Sequence, residues 1–137
     1  MPGSTTILSE IESLLVLNQT IRAELYKLNL YTGPGGHFKS HIDTPRSEDM
    51  FGSLVVCLPT QFTGGALVTR HDDQEVVFDW SSSLQNPLSL ICWAAFFSDV
   101  EHKILPVTSG YRLTLIYNLY SVNERPTAQH LLGCRQT

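Results

Sequence analysis

Tyr31-Thr32-Gly33-Pro34-Gly35-Gly36-His37-Phe38-Lys39-Ser40-His41-Ile42-Asp43 joins two short β-rich runs across a glycine–proline break. Glycine and proline at 33–36 punctuate the chain as a turn. After the turn the pattern reads as a strand over 38–43. In a strand, residues i and i+2 share a face. His41 and Asp43 are therefore expected to present an imidazole and a carboxylate side by side, with Ile42 turned toward a core. A two-histidine, one-carboxylate metal site needs this pairing from one strand and takes its third ligand from elsewhere in the fold. His102, near the start of a late run, is the candidate. Such a triad holds one face of Fe(II) and leaves positions open for other ligands.

The same texture extends outward from this stretch. Eight β-rich runs are expected at 26–31, 38–43, 52–59, 65–71, 74–80, 90–97, 101–107 and 111–120. Gly, Pro, Asp, Asn and Ser lie between them. Many short strands without intervening helices suggest a β-sandwich or closed barrel. Before them, Ile7, Ile11, Leu14 and Leu15, then Ile21 and Leu25, recur at helical spacing. An amphipathic helix is expected over roughly 5–17, with extension to 25 open. Ser4, Thr5 or Thr6 could cap it, and Ser9 with Glu12 fits a capping box. Residues 121–137 are polar and without pattern.

The last run adds a second chemical feature. Arg112 and Thr114 are two apart on a strand that is apolar on both phases (Leu113, Leu115, Tyr117 and Ile116). Such a strand is expected to be buried on both sides, and a buried arginine needs an anionic partner. The guanidinium fork binds a carboxylate through two parallel hydrogen bonds, and a neighbouring hydroxyl can add a third.

Taken together, the stretch 31–43, then Gly64-Gly65-Ala66-Leu67, then His102 to Arg112, resemble the Fe(II)/2-oxoglutarate-dependent dioxygenases, in particular the prolyl-4-hydroxylase-like branch. The resemblance spans roughly 26–120. It implies a mostly β fold, a double-stranded β-helix or jelly roll of eight core strands, with the N-terminal amphipathic helix packed outside. It divides the chain into a helical segment (1–25), the jelly-roll core (26–120) and a polar tail (121–137). It implies His41, Asp43 and His102 as iron ligands, Arg112 and Thr114 as the seat of the distal carboxylate of 2-oxoglutarate, and Tyr31 as a further hydrogen-bonding partner of that cosubstrate. The implied cofactors are Fe(II), 2-oxoglutarate and O2, with ascorbate a candidate reductant. The implied reaction hydroxylates an unactivated C–H of a protein side chain (proline-like) or of a small molecule, releasing succinate and CO2. Gly64-Gly65 is expected to supply a turn with positive φ. Arg46, His37 and Arg70 are substrate-side candidates, each set against an ordinary surface role. His71 is expected in a solvated turn with Asp72 and Asp73, while Trp80, Trp93, Cys57 and Cys92 are expected to fill core space.

Two other readings stay open: a non-catalytic jelly-roll domain that binds a ligand or partner, and a jelly-roll metalloenzyme that does not use 2-oxoglutarate. The presence of all three ligands, His41, Asp43 and His102, together with Arg112 favours the dioxygenase reading. Composition narrows the partners. The 137 residues carry 9 basic and 13 acidic side chains, for a net charge of −4. That argues against nucleic acid, whose binders show a basic stripe. No apolar run approaches a membrane span, so no membrane is expected as a partner. A peptide, protein or small-molecule substrate is expected instead. Three scattered cysteines and no visible signal peptide fit an intracellular setting, cytoplasmic or nuclear. The near-minimal barrel leaves short loops to recognise substrate, or makes this one domain of a longer multidomain chain.

Overall fold

A computed structural model describes residues 7–15, 20–45, 47–81, 91–122 and 133–136, without the side chains of Leu14, Leu15, His41 and 133–136. Arg46 lies outside the described residues. The chain begins with helix α1 (Ile7–Leu15) and continues through β1 (Ile21–Thr32), β2 (Phe38–His41), β3 (Met50–Cys57), β4 (Phe62–Gly64) and β5 (Leu67–His71). Then follow β6 (Gln74–Phe78), β7 (Cys92–Phe97), β8 (Glu101–Ile104), β9 (Val107–Ser121) and β10 (Gly133–Gln136). One sheet runs β1-β9-β3-β7-β10, with β4 paired to β9, and a second runs β2-β8-β5-β6. All described pairings are antiparallel. This is a jelly roll, and the hydrophobic core joins residues of both sheets, including Trp93, Phe96, Leu119, Leu67 and Ile104.

Several boundaries depart from the sequence reading. The helix does not reach residue 25: Ile21 and Leu25 belong to β1 and pair with Ser121 and Tyr117 of the long strand β9. A spacing of four puts two residues on one face of a strand as well as of a helix, and the strand register shifts only after Leu25, between it and Lys27. Ser9 is not a cap but lies inside α1, where its carbonyl accepts from Ser13. Glu12 instead accepts from the Ile21 amide at 3.1 Å, fastening α1 to the start of β1, while Ile11 is buried. Residues 62–64, read as a break, form a strand on β9, and residues 133–136, within the tail read as patternless, pair with β7.

β2 ends at His41, so Asp43 lies in the coil beyond it rather than in the strand. The expected glycine turn is present, with Gly64 and Gly65 at φ of 73° and 69°. Asp72 and Asp73, at φ of 48° and 64°, close the two-residue hairpin between β5 and β6. Positive φ at both central residues is the turn whose twist matches paired strands. His71 is less solvated than expected. Its two ring nitrogens stand 3.1 Å from Asp72 and 3.3 Å from Asp99, tying the hairpin to the turn after β7. No described helix is long and apolar enough to cross a membrane.

Candidate active site

A cavity of about 400 Å3 opens between the two sheets, within the range typical of small-molecule sites. Alternation along the strands decides what lines it. β9 contributes Arg112, Thr114, Ile116 and Asn118, every second residue, and β1 contributes Lys27, Asn29 and Tyr31. Ser53 and Val55 come from β3, Phe96 from β7, and His102 and Ile104 from β8. Asp43 and Thr44 enter from the coil after β2.

At one end, the Asp43 Oδ1 and His102 Nε2 atoms stand 3.5 Å apart. Two ligand atoms at that separation can share one cation held by bonds of about 2.1 Å. The His102 Nδ1 lies 3.2 Å from the Val100 carbonyl. An Nδ1–H donated there leaves the Nε2 lone pair facing Asp43. The imidazole is buried and held between aromatic rings: Phe38 is stacked at 6.0 Å and Phe96 tilted at 4.7 Å. His41 pairs with His102 through its backbone, across β2 and β8. Its side chain lies outside the described residues, and among those described no group of three metal-binding side chains forms.

At the other end lies Arg112, only 1% exposed. Its Nε, Nη1 and Nη2 atoms are buried and make no hydrogen bond among the described residues, and neither does the Thr114 hydroxyl beside it, itself 0% exposed. The guanidinium carbon sits 5.5 Å from the Trp80 ring centre and 5.9 Å from those of Tyr31 and Phe62. Burial lowers the Arg112 pKa, with Cys57 and Tyr31 opposing the shift. A guanidinium remains charged in a protein. A buried cation with every donor unused is costly unless a ligand supplies the anion. Gly65 makes the space: a Cβ there would lie 3.0 Å from the Arg112 Cδ. Tyr31 is Arg112's register partner, and burial raises its phenol pKa although Arg112 pulls it down. The phenol thus stays protonated at neutral pH and able to donate.

The family model described as the 2OG-Fe(II) oxygenase superfamily matches residues 26–120. The chain belongs to the 2OG-Fe(II) oxygenase superfamily. Members of this superfamily are oxidoreductases that use Fe(II), 2-oxoglutarate and O2, and the jelly roll is their fold. Two solved structures share this fold. An oxidoreductase of the 2OG-Fe(II) oxygenase family from Burkholderia pseudomallei is 16% identical, covering 80% of this chain and 48% of its own, with a TM-score of 0.55. A Pseudomonas putida prolyl-4-hydroxylase is 22% identical, covering 74% and 53%, with a TM-score of 0.50. The chain thus matches about half the length of each. No curated protein matches it.

The cavity of this superfamily member collects Tyr31, Asp43, His102, Arg112 and Thr114 in one place. It does not collect the two described substrate-side candidates, His37 and Arg70. His37 is exposed, with its Nδ1 2.8 Å from the Gly35 carbonyl, and Arg70 is exposed and faces Asp73 at 3.5 Å. Neither lines the cavity. Glu101, beside His102, bonds Ser40 instead. Sequence reasoning missed the ring walls Phe62 and Trp80 around Arg112 and the hydroxyl of Ser53, which donates to Asp43 Oδ2 at 2.6 Å.

Proposed function

We propose that this domain is a working Fe(II)- and 2-oxoglutarate-dependent dioxygenase that hydroxylates an unactivated C–H of a protein side chain, proline-like, or of a small molecule. The observation that carries the reading is the pair Arg112–Thr114, buried and without hydrogen-bond partners among the described residues, in the cavity that also holds Asp43 and His102. The donor set fits the cofactors. A carboxylate, an imidazole whose Nε2 faces that carboxylate and a second histidine from the adjacent strand suit Fe(II). Arg112 and Thr114 offer a fork and a hydroxyl to a carboxylate, and Tyr31 offers a phenol.

In this reading Asp43, His102 and His41 hold the metal. When bound, iron and 2-oxoglutarate supply the oxidising power for O2-driven hydroxylation, with succinate and CO2 released. The chain's own residues set positions and exclude water. Arg112 fixes the far carboxylate of the cosubstrate and so orients its other end toward Asp43 and His102. Rings of Phe62 and Trp80 keep solvent from that contact, which strengthens it. Val100 holds the His102 tautomer. Tyr26, Ile42 and Thr44 also line the cavity and are placed to meet substrate. Support for a proline-like substrate is the structural likeness to the Pseudomonas putida enzyme.

The test is incubation with Fe(II), 2-oxoglutarate, O2 and a pool of proline-containing peptides. Succinate should form together with a peptide product that has gained one oxygen atom, and Arg112→Ala should abolish both at the same cosubstrate concentration. Cosubstrate binding without succinate under any peptide would instead favour a binding domain.

A further inference from the structure

We infer that Ser53 is the positioning residue that fixes the Asp43 carboxylate for the metal. This rests on the proposed iron site. Asp43 sits beyond the end of β2, so strand pairing does not hold its side chain in place. Ser53 sits in β3, flanked on both sides by β9 and β7, and is 4% exposed. Its hydroxyl donates to Asp43 Oδ2 at 2.6 Å, while Oδ1 is the oxygen 3.5 Å from His102 Nε2. One oxygen is thus turned toward the strand and the other toward the imidazole. The carboxylate is left to bind a cation through a single oxygen, which keeps further coordination positions open.

The register explains how one strand position serves the whole site. Ser53 is paired with Asn118 on one side and with Phe96 on the other. The Phe96 ring packs against His102 at 4.7 Å. A single row across the large sheet therefore braces both groups, with a hydroxyl for the carboxylate and a ring for the imidazole. The row stands on a rigid central strand, so it transmits a fixed position to a residue in coil. Apolar truncation at 53 would remove the hydrogen bond that holds Oδ2 toward β3. Partners that orient metal ligands are typically worth about 10- to 100-fold in metal affinity.

The test is a Mn(II) titration of the metal-free protein without cosubstrate, read from the electron paramagnetic resonance of free Mn(II). Wild type, Ser53→Ala and Ser53→Thr are compared, with the melting temperature of each metal-free protein confirming that it folds. Ser53→Ala should bind Mn(II) about 10- to 100-fold more weakly, and Ser53→Thr, which keeps the hydroxyl, should recover most of that loss. Wild-type affinity in Ser53→Ala overturns the inference alone. So does an equal loss in both folded variants, because the hydroxyl is then not what matters. Failure of the wild type itself to bind Mn(II) overturns the iron site on which the inference rests.

Discussion

Tyr31 and Arg112 face one another across the pairing of β1 with β9, and the guanidinium carbon stands 5.9 Å from the centre of the phenol ring. Burial keeps the phenol protonated, and Arg112 holds three buried nitrogens without hydrogen-bond partners among the described residues. The guanidinium thus lacks an acceptor among the described residues, while the phenol is hydrogen-bonded to the Asn29 side chain. In the proposed reading that acceptor is the distal carboxylate of 2-oxoglutarate.

Tyr31→Phe removes one donor and keeps the ring. A hydrogen bond to a charged group contributes about 1.5–3 kcal/mol, so 2-oxoglutarate affinity should fall by roughly one to two orders of magnitude. Calorimetric titration of Mn(II)-loaded protein measures it. Unchanged affinity would remove Tyr31 from the site.

Arg112→Met should separate stability from binding. The arginine is buried and unpaired without ligand, so an apolar replacement of similar length removes a desolvated charge. The cofactor-free variant should be as stable as wild type or more so, by about 1–3 kcal/mol in denaturant unfolding. Cosubstrate affinity should fall at least ~100-fold, the loss of a bidentate contact. A strongly destabilised variant would mean that Arg112 is held by structural contacts instead.

Gly65→Ala should damage both. Its φ of 69° disfavours any side chain, and the added Cβ would meet Val107 Cγ2 at 2.9 Å and Arg112 Cδ at 3.0 Å. The backbone effect is worth about 1–2 kcal/mol. Displacement of the Arg112 stem should raise the 2-oxoglutarate requirement as well. Thermal unfolding and titration report the two effects separately.

Cys57 gives a pH-dependent prediction. It is fully buried opposite Cys92, and burial pushes its thiol up to about 11. Arg112 opposes that shift and Cys92 adds to it. The unfolded thiol ionises near 8.5. The folded state therefore holds this proton over the window between the two values, and the unfolded state does not. The stability contribution is complete below about pH 8.5 and is lost as pH rises toward 11. Urea unfolding from pH 7 to 10.5 should show a decline that Cys57→Ala lessens. Native Cys57 should resist alkylation at pH 8.

The fold was largely legible because short apolar runs between Gly, Pro and Asp breaks are what antiparallel strands require. Arg112 and Thr114 were legible for the same reason: two polar residues on one phase of a buried strand must face something. β4 was not, since Phe62 is its one large apolar residue and its order comes from pairing with β9. Ile21 and Leu25 misled because their spacing of four fits a helix, whereas the long β9 supplies a partner that no local pattern announces. Asp43 reached the cavity, but from coil rather than from a strand face. Ser53, Phe62 and Trp80 were invisible as site residues because their roles depend on contacts far apart in sequence.

The central claim is that Asp43, His102 and His41 hold Fe(II) while Arg112 holds 2-oxoglutarate against it. Anaerobic absorption spectroscopy tests it most directly. Fe(II) with saturating 2-oxoglutarate should give a weak visible band that neither gives alone. Asp43→Ala should lose the band, and Arg112→Ala should regain it only at much higher cosubstrate. Absence of the band in folded wild-type protein at saturating Fe(II) and 2-oxoglutarate would contradict the account.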